Sequence, residues 1–392
     1  MHLNKIEEKI LKGEYGEERA SALKLVVKIG ELYNAEKLVK ISSAQISGVS
    51  YKTMGDAGIE YLKMLSDKAE VSVLTTINPA GMDLKNWKKM GIITDKFRKN
   101  QIKITSYYEK LNIEPTYTCA PYLGDNVPSF GSHIAWAESS AIIYANSVLG
   151  ARTNREGAPV ALASAISGYT SYYGLHLKEN RTPTDFFEID KNVSDYSLLG
   201  AYIGDLVRNG VPYLKFGNVK TQELKNLGAS MATWGSIGLY HIEGVTPEYK
   251  NYKYKNKKIY VTEEDLINFK NKRIESGSEP ELIAFGCPHL SVTEIKRLNK
   301  LITGKTRKST SPDVWICTSR YIAKKAAKEL HSLEKWGAKV LKDTCMVVAP
   351  IERGYKTTAV NSMKASYYLP KKSFCNQRII YGKDIDIVRQ FL

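Results

Sequence analysis

Apolar and polar residues recur along the chain with the spacing of short buried strands followed by amphipathic helices. Residues 17–34 have apolar positions at helical spacing, and the run from Lys37 to Ser42 is typical of a short buried strand. A second helix is predicted over 55–66, and a β-rich run over 71–77 ends at an Asn-Pro turn. The order of strand, polar loop and helix therefore occurs twice in this part of the chain.

The stretch from Tyr117 to Gly157 places polar chemistry beside a core-forming pattern. An extended run over 114–118 leads into Cys119, and apolar positions at helical spacing predict a helix over 132–149. Glu138 lies among the small apolar residues of that predicted helix. Because burial penalises the charged form of a carboxyl group, this setting predicts a raised pKa for Glu138. The alternative is a buried helix whose carboxylate has a purely structural role.

Strand–helix alternation is clearest in the last third of the chain. Before it, helices are predicted over 197–208 and 220–233, with a strand over 212–216. The predicted strands of the last third are Lys258–Val261, Leu282–Phe285, Val314–Cys317 and Ala338–Leu341. Such alternation is typical of parallel βαβ units, so we predict an α/β fold with helices flanking parallel or mixed sheets.

The chain is long enough for more than one compact unit. A sequence of 392 residues exceeds what one small core holds, so two or more units are expected. The charged, unpatterned run at 250–258 is the best linker candidate. It predicts an N-terminal α/β region over 1–250 and a C-terminal α/β region over 251–392.

The composition is that of a globular protein, with 43% hydrophobic and 25% charged residues. No apolar run approaches the roughly 18 residues of a membrane-spanning helix, so no membrane partner is expected. The N-terminus lacks an apolar signal region, which predicts a cytoplasmic protein. Five widely spaced cysteines do not form a disulfide framework and indicate thiols or metal ligands.

A net charge of +16 raises the question of nucleic-acid binding. The densest basic runs, at 250–258 and 305–311, lie in no recognisable nucleic-acid motif. We interpret most of the charge as a solvated surface, with a basic pocket for a small anion as a second contributor. A nucleic-acid-binding protein with a redox-sensing cluster stays an alternative, which the salt dependence of nucleic-acid affinity would test.

Three cysteines share a position that suits ligand binding. Cys119, Cys287 and Cys345 each follow a predicted strand, where open α/β sheets bind their ligands. Cys317 lies inside an apolar run and Cys375 in a polar C-terminal segment. Three converging thiolates suit zinc or an iron–sulfur cluster, and an open iron position acts as a Lewis acid on a hydroxyl group. The alternative is three separately buried thiols.

Several segments together resemble the aconitase X family. They are SGVSYKTMGDAG, NPAGMD, YTCAPYL, the serine-rich helix ending GARTNREG, GCPHLS, DTCMVVAP and NSMKA, in the expected order over nearly the whole chain. The resemblance implies an aconitase-like arrangement of several subdomains. It also implies an iron–sulfur cluster, [4Fe-4S] when complete and [3Fe-4S] or lost on oxidation, held by Cys119, Cys287 and Cys345.

The resemblance further implies an activity and a partner. The chain is similar to an archaeal large subunit that pairs with a small swivel-domain subunit as a heterodimer. That family member is a hydro-lyase that converts (R)-5-phosphomevalonate to trans-anhydromevalonate 5-phosphate in the mevalonate pathway of isoprenoid synthesis. The small subunit is expected to contribute a serine at the shared site. The sibling activity, cis-3-hydroxy-L-proline dehydratase, is the alternative within the family.

The remaining polar motifs complete the expected site. Backbone N–H groups and hydroxyls before a helix suit an anion, and Arg or Lys can hold a carboxylate or phosphate. Glu138 and Ser139 are the catalytic candidates, through proton transfer or contact with a substrate hydroxyl. The expected substrate-binding residues are Gly48, Val49, Ser50, Asn78, Pro79, Glu138, Ser139, Ser319, Arg320, Ser362 and Lys364. His133 and His289 are expected to have hydrogen-bonded structural roles.

Overall fold

The protein is described here from a computed structural model covering residues 1–254, 257–274, 279–307 and 311–392. Its helices and strands group into a first region (1–179), a middle region (180–274) and a last region (279–392). Residues 255–256 of the predicted linker and 308–310 of the second basic run lie outside the described residues. Within these limits, the helices are too short or too polar to cross a membrane.

The first region combines a small parallel sheet with an antiparallel pair of strands. Its strands are β1 (Leu38–Lys40), β2 (Ser43–Ile46), β3 (Leu74–Ile77), β4 (Ala135–Trp136) and β5 (Tyr169–Ser171). Its helices are α1 (Lys5–Leu11), α2 (Glu17–Leu32), α3 (Tyr51–Ser66), α4 (Asp95–Lys110), α5 (Ser139–Tyr144) and α6 (Ala158–Ser167). The parallel sheet has the order β3-β2-β4, and β1 pairs with β5. The carboxyl ends of β2 and β3 thus lie side by side.

The middle region has a four-stranded parallel sheet of order β8-β7-β6-β9. The strands are β6 (Asp185–Ile189), β7 (Pro212–Phe216), β8 (His241–Ile242) and β9 (Ile259–Val261), and the helices are α7 (Tyr196–Val207), α8 (Leu224–Gly235) and α9 (Glu263–Arg273). Gly204 and Gly235 let α7 and α8 cross closely, since a Cβ on Gly235 would lie 2.2 Å from the Gly204 carbonyl oxygen. Because β9 pairs with β6, this sheet uses residues on both sides of 250, and the two-region division stays a prediction.

The last region is a five-stranded parallel sheet with helices on its faces. The strands are β10 (Leu282–Phe285), β11 (Asp313–Cys317), β12 (Lys339–Leu341), β13 (Thr357–Val360) and β14 (Arg378–Tyr381). The helices are α10 (Val292–Ile302), α11 (Arg320–Lys325), α12 (Ala327–Trp336), α13 (Met363–Tyr368) and α14 (Asp384–Phe391). The strand order is β12-β11-β10-β13-β14. Apolar cores cover both faces of this sheet. The predicted α/β fold is confirmed.

Two local predictions in the cysteine-bearing stretch are wrong. The predicted helix over 132–149 begins only at Ser139, because residues 135–136 pair with β2 as a strand. The predicted strand over 114–118 is irregular: Glu114 forms a single bridge with Thr76, the Thr118 N–H donates to the Ile77 carbonyl oxygen at 2.9 Å, and Tyr117 has a left-handed φ of 44°. In both cases pairing with a distant segment, which local spacing does not encode, decides the conformation.

Candidate active site

The three cysteines of the predicted site come from three different segments and are buried. Cys287 follows β10 after Gly286, which has a left-handed φ of 109°. A Cβ on Gly286 would lie 2.2 Å from the Cys317 carbonyl oxygen, so this close approach requires glycine. Cys345 follows β12, and Cys119 follows the extended segment of the first region. All three are free thiols.

The three thiols share one electrostatic environment. Burial raises the pKa of Cys119 to about 12, and the Glu138 carboxylate adds to that rise while the Lys364 ammonium opposes it. Burial also raises the pKa values of Cys287 and Cys345, and the same two charged groups act on both. Cys119 and Cys345 each raise the pKa of Cys287 further. Each of the three thiols is therefore close enough to the Glu138–Lys364 pair for both charges to affect its pKa.

Glu138 and Lys364 form a buried ion pair across the first and last regions. The Lys364 ammonium also donates to the hydroxyls of Ser139, at 3.4 Å, and Ser140, at 3.2 Å. Glu138 caps α5, since its carboxylate accepts the Ser140 N–H at 3.2 Å. Burial by itself disfavours the Glu138 carboxylate, but the charge and hydrogen bond of Lys364, with hydrogen bonds from Asn78 and Ser140, lower its pKa to about 2. The prediction of a raised pKa for Glu138 is wrong, because it omitted the lysine.

Asn78 connects Glu138 to the sheet of the first region. Its side-chain amide donates to Glu138 Oε2 at 2.6 Å, and its carbonyl oxygen accepts from Gln45 Nε2 at 2.8 Å. Gln45 Nε2 also donates to the carbonyl oxygen of Thr118, at 2.8 Å, directly before Cys119. Sequence reasoning missed Gln45, which lies in the short strand Ser43–Ile46 and has no distinguishing local pattern. It fixes two site segments relative to one another.

The Gly48–Ser50 turn meets the segment that follows Cys345. Gly48 has a φ of 75°, and Ser50 caps α3 by accepting the Lys52 N–H at 3.2 Å. The Ser50 hydroxyl donates to the Val348 carbonyl oxygen at 2.8 Å. Ser50 thus has a structural role in addition to the predicted substrate contact. Pro79 and Val49 are buried beside it.

Arg320 forms an ion pair with the buried carboxylate of Asp343, two residues before Cys345. Its guanidinium contacts both oxygens of Asp343, at 2.7 Å and 2.8 Å, and the two residues line a pocket of about 340 Å³. Ser319 caps α11 and Ser362 caps α13 through their hydroxyls. Asp343, which sequence reasoning missed, also accepts the Leu84 N–H at 3.0 Å. It therefore joins the first and last regions two residues before Cys345.

His133 and His289 have the structural contacts that were expected. The Nδ1 atoms of His133 and His176 are 2.9 Å apart, so one ring donates to the other. His289 Nε2–H donates to the Thr344 carbonyl oxygen at 3.1 Å, and burial lowers the pKa of His289 to about 4. Burial also lowers the pKa values of both imidazoles of the first pair; the next cause is nearby arginines for His133 and the His133 ring for His176.

The chemistry of the three thiols fits an iron–sulfur cluster. Among the described residues, no group of three His, Cys, Asp or Glu side chains is arranged to hold one metal ion. A cluster distributes its protein ligands over several iron atoms, and thiolates are its usual ligands. Three buried thiols with a nearby ammonium group supply that chemistry. Cys317 is packed inside β11, and Cys375 accepts a hydrogen bond from Lys52 at 3.2 Å.

Comparisons with known proteins agree with this geometry. The first, second and third domain models of aconitase X match residues 1–179, 179–271 and 280–391. The phosphomevalonate dehydratase large subunit of Methanocaldococcus jannaschii is 47% identical over 97% of this chain and 98% of its own. The cis-3-hydroxy-L-proline dehydratase of Pseudomonas aeruginosa is 31% identical over 94% of this chain and 66% of its own.

A solved structure gives the same result at the level of the fold. The holo-form of aconitase X from Thermococcus kodakaraensis superposes with a TM-score of 0.90 and 41% identity, covering 100% of both chains. Sequence and fold therefore agree over all three regions. On this evidence the chain belongs to the aconitase X family.

Proposed function

We propose that this chain is the catalytic large subunit of a hydro-lyase that dehydrates (R)-5-phosphomevalonate to trans-anhydromevalonate 5-phosphate. The observation that supports the proposal is the hydrogen bond of 3.2 Å from the His289 N–H, two residues after Cys287, to Cys119 Sγ. Cys119, Cys287 and Cys345 are all buried, and the charges of Glu138 and Lys364 affect the pKa of each. The identity to dehydratase large subunits, 47% in one case, supports the substrate. The cis-3-hydroxy-L-proline dehydratase is less similar, at 31%, so that activity is the second candidate.

We assign Cys119, Cys287 and Cys345 as the ligands of an iron–sulfur cluster. When bound, the cluster supplies Lewis-acid assistance to the departure of the substrate hydroxyl group. The Lys364 ammonium lowers the pKa of Cys119 and Cys287 and so favours the thiolate forms that ligation requires. Cys317 and Cys375 are left out of this ligand set.

Glu138 is assigned to orient the substrate. With its pKa lowered to about 2, its carboxylate stays charged at neutral pH and accepts hydrogen bonds from a hydroxyl group. A carboxylate of such low basicity is poorly suited to remove the C2 proton, because general bases work best with a pKa near the operating pH. This fits a base supplied by the small subunit, while Ser139 contacts the substrate from the start of α5.

The phosphate is assigned to the N–H groups of Gly48, Val49 and Ser50, at the start of α3, where an anion is favoured. The other substrate contacts we propose are Asn78, Pro79, Ser319, Arg320, Ser362 and Lys364. Lys364 is ion-paired to Glu138. Its ammonium group would therefore donate to Glu138 and to the substrate phosphate or carboxylate at the same time.

The small swivel-domain subunit is proposed to cover the site. Val127 and Phe130, in the segment between Cys119 and Glu138, have 55% and 65% of their surface exposed. Exposed apolar side chains beside a proposed active site suit a partner surface. The isolated chain is therefore expected to be nearly inactive, and full turnover without the small subunit would contradict this assignment.

The test is anaerobic co-purification of the chain with the candidate small subunit. Iron, sulfide and turnover of phosphomevalonate are measured on the same sample, with cis-3-hydroxy-L-proline as the competing substrate. Serine replacements of Cys119, Cys287 or Cys345 should each remove most iron and activity, whereas Cys317→Ser should keep both. Full iron content in the first three variants, or preference for the proline substrate, would overturn the proposal.

A further inference from the structure

Lys225 of the middle region contacts the loop that follows Cys287 in the last region. It lies on α8 of the middle region, and its side chain is 5% exposed. Its ammonium group donates to the His289 carbonyl oxygen at 2.8 Å and lies 3.5 Å from the carbonyl oxygen of Pro288. Glu294 balances its charge at 2.6 Å. The lysine thus contacts the backbone immediately after Cys287.

His289, which Lys225 holds, touches the segments of the two other cysteines. Its backbone N–H donates to Cys119 Sγ at 3.2 Å. Its imidazole Nε2–H donates to the Thr344 carbonyl oxygen at 3.1 Å, one residue before Cys345. One residue therefore connects all three cysteine segments through separate hydrogen bonds.

We propose that Lys225 is a positioning residue for the iron–sulfur cluster, acting through His289 to set the relative placement of Cys119, Cys287 and Cys345. The inference rests on the proposed cluster site and adds a contribution from the middle region. Groups that support metal ligands from outside strongly affect how well a site holds its metal. Hydrogen bonds to cluster sulfurs also tune the reduction potential, and the His289 N–H makes one to Cys119.

Replacing Glu294 together with Lys225 avoids leaving one unpaired buried charge, because the two residues form an ion pair. The Glu294 carboxylate belongs to the capping box of α10 with Ser291. Glutamine keeps a capping box, so Lys225→Met combined with Glu294→Gln removes both charges and preserves the start of the helix. Lys225→Arg retains a charged donor and serves as the conservative variant. Lys339→Met removes another ion pair of the last region, with Asp313 at 2.8 Å, and serves as the matched control.

The experiment uses the complex with the small subunit, reconstituted anaerobically with iron and sulfide. We expect the double variant to lose iron to a chelator about tenfold faster than the native complex, in the range of supporting residues around metal sites. The reduction potential of its iron–sulfur cluster should shift as well. Lys225→Arg should recover most of the retention, and Lys339→Met should match the native rate. The unfolding temperature of each cluster-free chain is measured alongside.

The outcomes separate this inference from the proposed function. If the native complex takes up no iron, the cluster assignment fails. If it takes up iron and the double variant holds it equally long at an unchanged potential, the role of Lys225 is refuted. It is also refuted if iron loss follows only the drop in unfolding temperature, with Lys339→Met behaving alike. His289→Leu, which keeps the backbone N–H but removes the contact to Thr344, should also speed iron loss.

Discussion

Glu138 and Glu156 are two buried carboxyl groups of the same region with opposite electrostatic behaviour. Glu138 is ion-paired with Lys364, and its pKa falls to about 2 despite burial. Glu156 accepts a hydrogen bond from the Thr170 hydroxyl at 3.4 Å, and burial raises its pKa to about 7. No ion pair to Glu156 is found within the described residues. The same residue type, comparably buried, is thus charged at one position and close to half-neutral at physiological pH at the other.

The difference lies in what reaches each carboxyl from elsewhere in the chain. Lys364 is 226 residues from Glu138, and it arrives with α13 of the last region. Glu156 accepts a hydrogen bond from the neutral hydroxyl of Thr170, which lies in β5 of the same region. A buried carboxyl is controlled by its nearest cation more than by its apolar surroundings. The predictions below test whether this difference separates a site residue from a structural one.

The largest expected effect is on catalysis. Glu138→Gln removes the charge that is proposed to orient the substrate, so kcat should fall by about 10²-fold, the cost of a misplaced substrate, with KM changed less. Glu156→Gln, a matched change of a buried carboxyl, should leave kcat within about threefold. Steady-state kinetics of the assembled complex measure both. Equal losses in the two variants would remove the distinction between them.

The next effect is on stability and concerns the pairing itself. Lys364→Met leaves the Glu138 carboxylate buried without a partner, which should lower the free energy of unfolding by about 3–5 kcal/mol. Adding Glu138→Gln removes the stranded charge and should restore most of that loss. Denaturant unfolding of the cluster-free chain measures the three proteins. Additive losses in the double variant would mean that the two groups do not act as a pair.

The pH dependence of stability should have opposite signs at the two carboxyls. Glu156 has a folded pKa of about 7 against an ordinary 4.5, so its contribution is present below pH 4.5 and is lost as the pH rises through 7. Glu138 has a folded pKa of about 2 against 4.5, so its contribution is present above pH 4.5 and is lost as the pH falls towards 2. Each slope is at most about 1.4 kcal/mol per pH unit.

The glutamine variants isolate these two slopes. Glu156→Gln should flatten the stability profile between pH 5 and 8, and Glu138→Gln should flatten it below pH 4.5. Urea midpoints over the pH range provide the measurement. A Glu156→Gln profile that still declines between pH 5 and 8 like the native one would contradict the raised pKa.

The smallest effect separates a helix cap at the proposed site from one outside it. Ser50→Ala should lower the free energy of unfolding by about 1 kcal/mol, because Ser50 caps α3. Thr262→Ala removes the cap of α9 and should cost about the same. Ser50→Ala alone should also raise KM, since the phosphate is assigned to that turn. Unchanged KM in Ser50→Ala would place the phosphate elsewhere.

The sequence by itself determined the α/β class and most helices and strands, and its resemblance to a known family predicted the three cysteines as cluster ligands. β10, Leu282–Phe285, has the predicted bounds, because a short apolar run between polar loops specifies a buried strand locally. Helix α10 likewise begins directly after Ser291, whose hydroxyl caps it. These features depend on neighbours within a few residues, so the local sequence is enough to predict them.

Only the tertiary structure decided the electrostatics of the site and the placement of its supports. The strand at Ala135–Trp136 exists because β2 pairs with it, and the charge of Glu138 is fixed because Lys364 is buried against it. Lys225 reaches His289 from another region, 64 positions earlier in the chain. Such contacts depend on which distant segments are packed together. Burial strengthens each interaction between charges, so the direction of a pKa shift depends on these contacts and does not follow from a local sequence pattern.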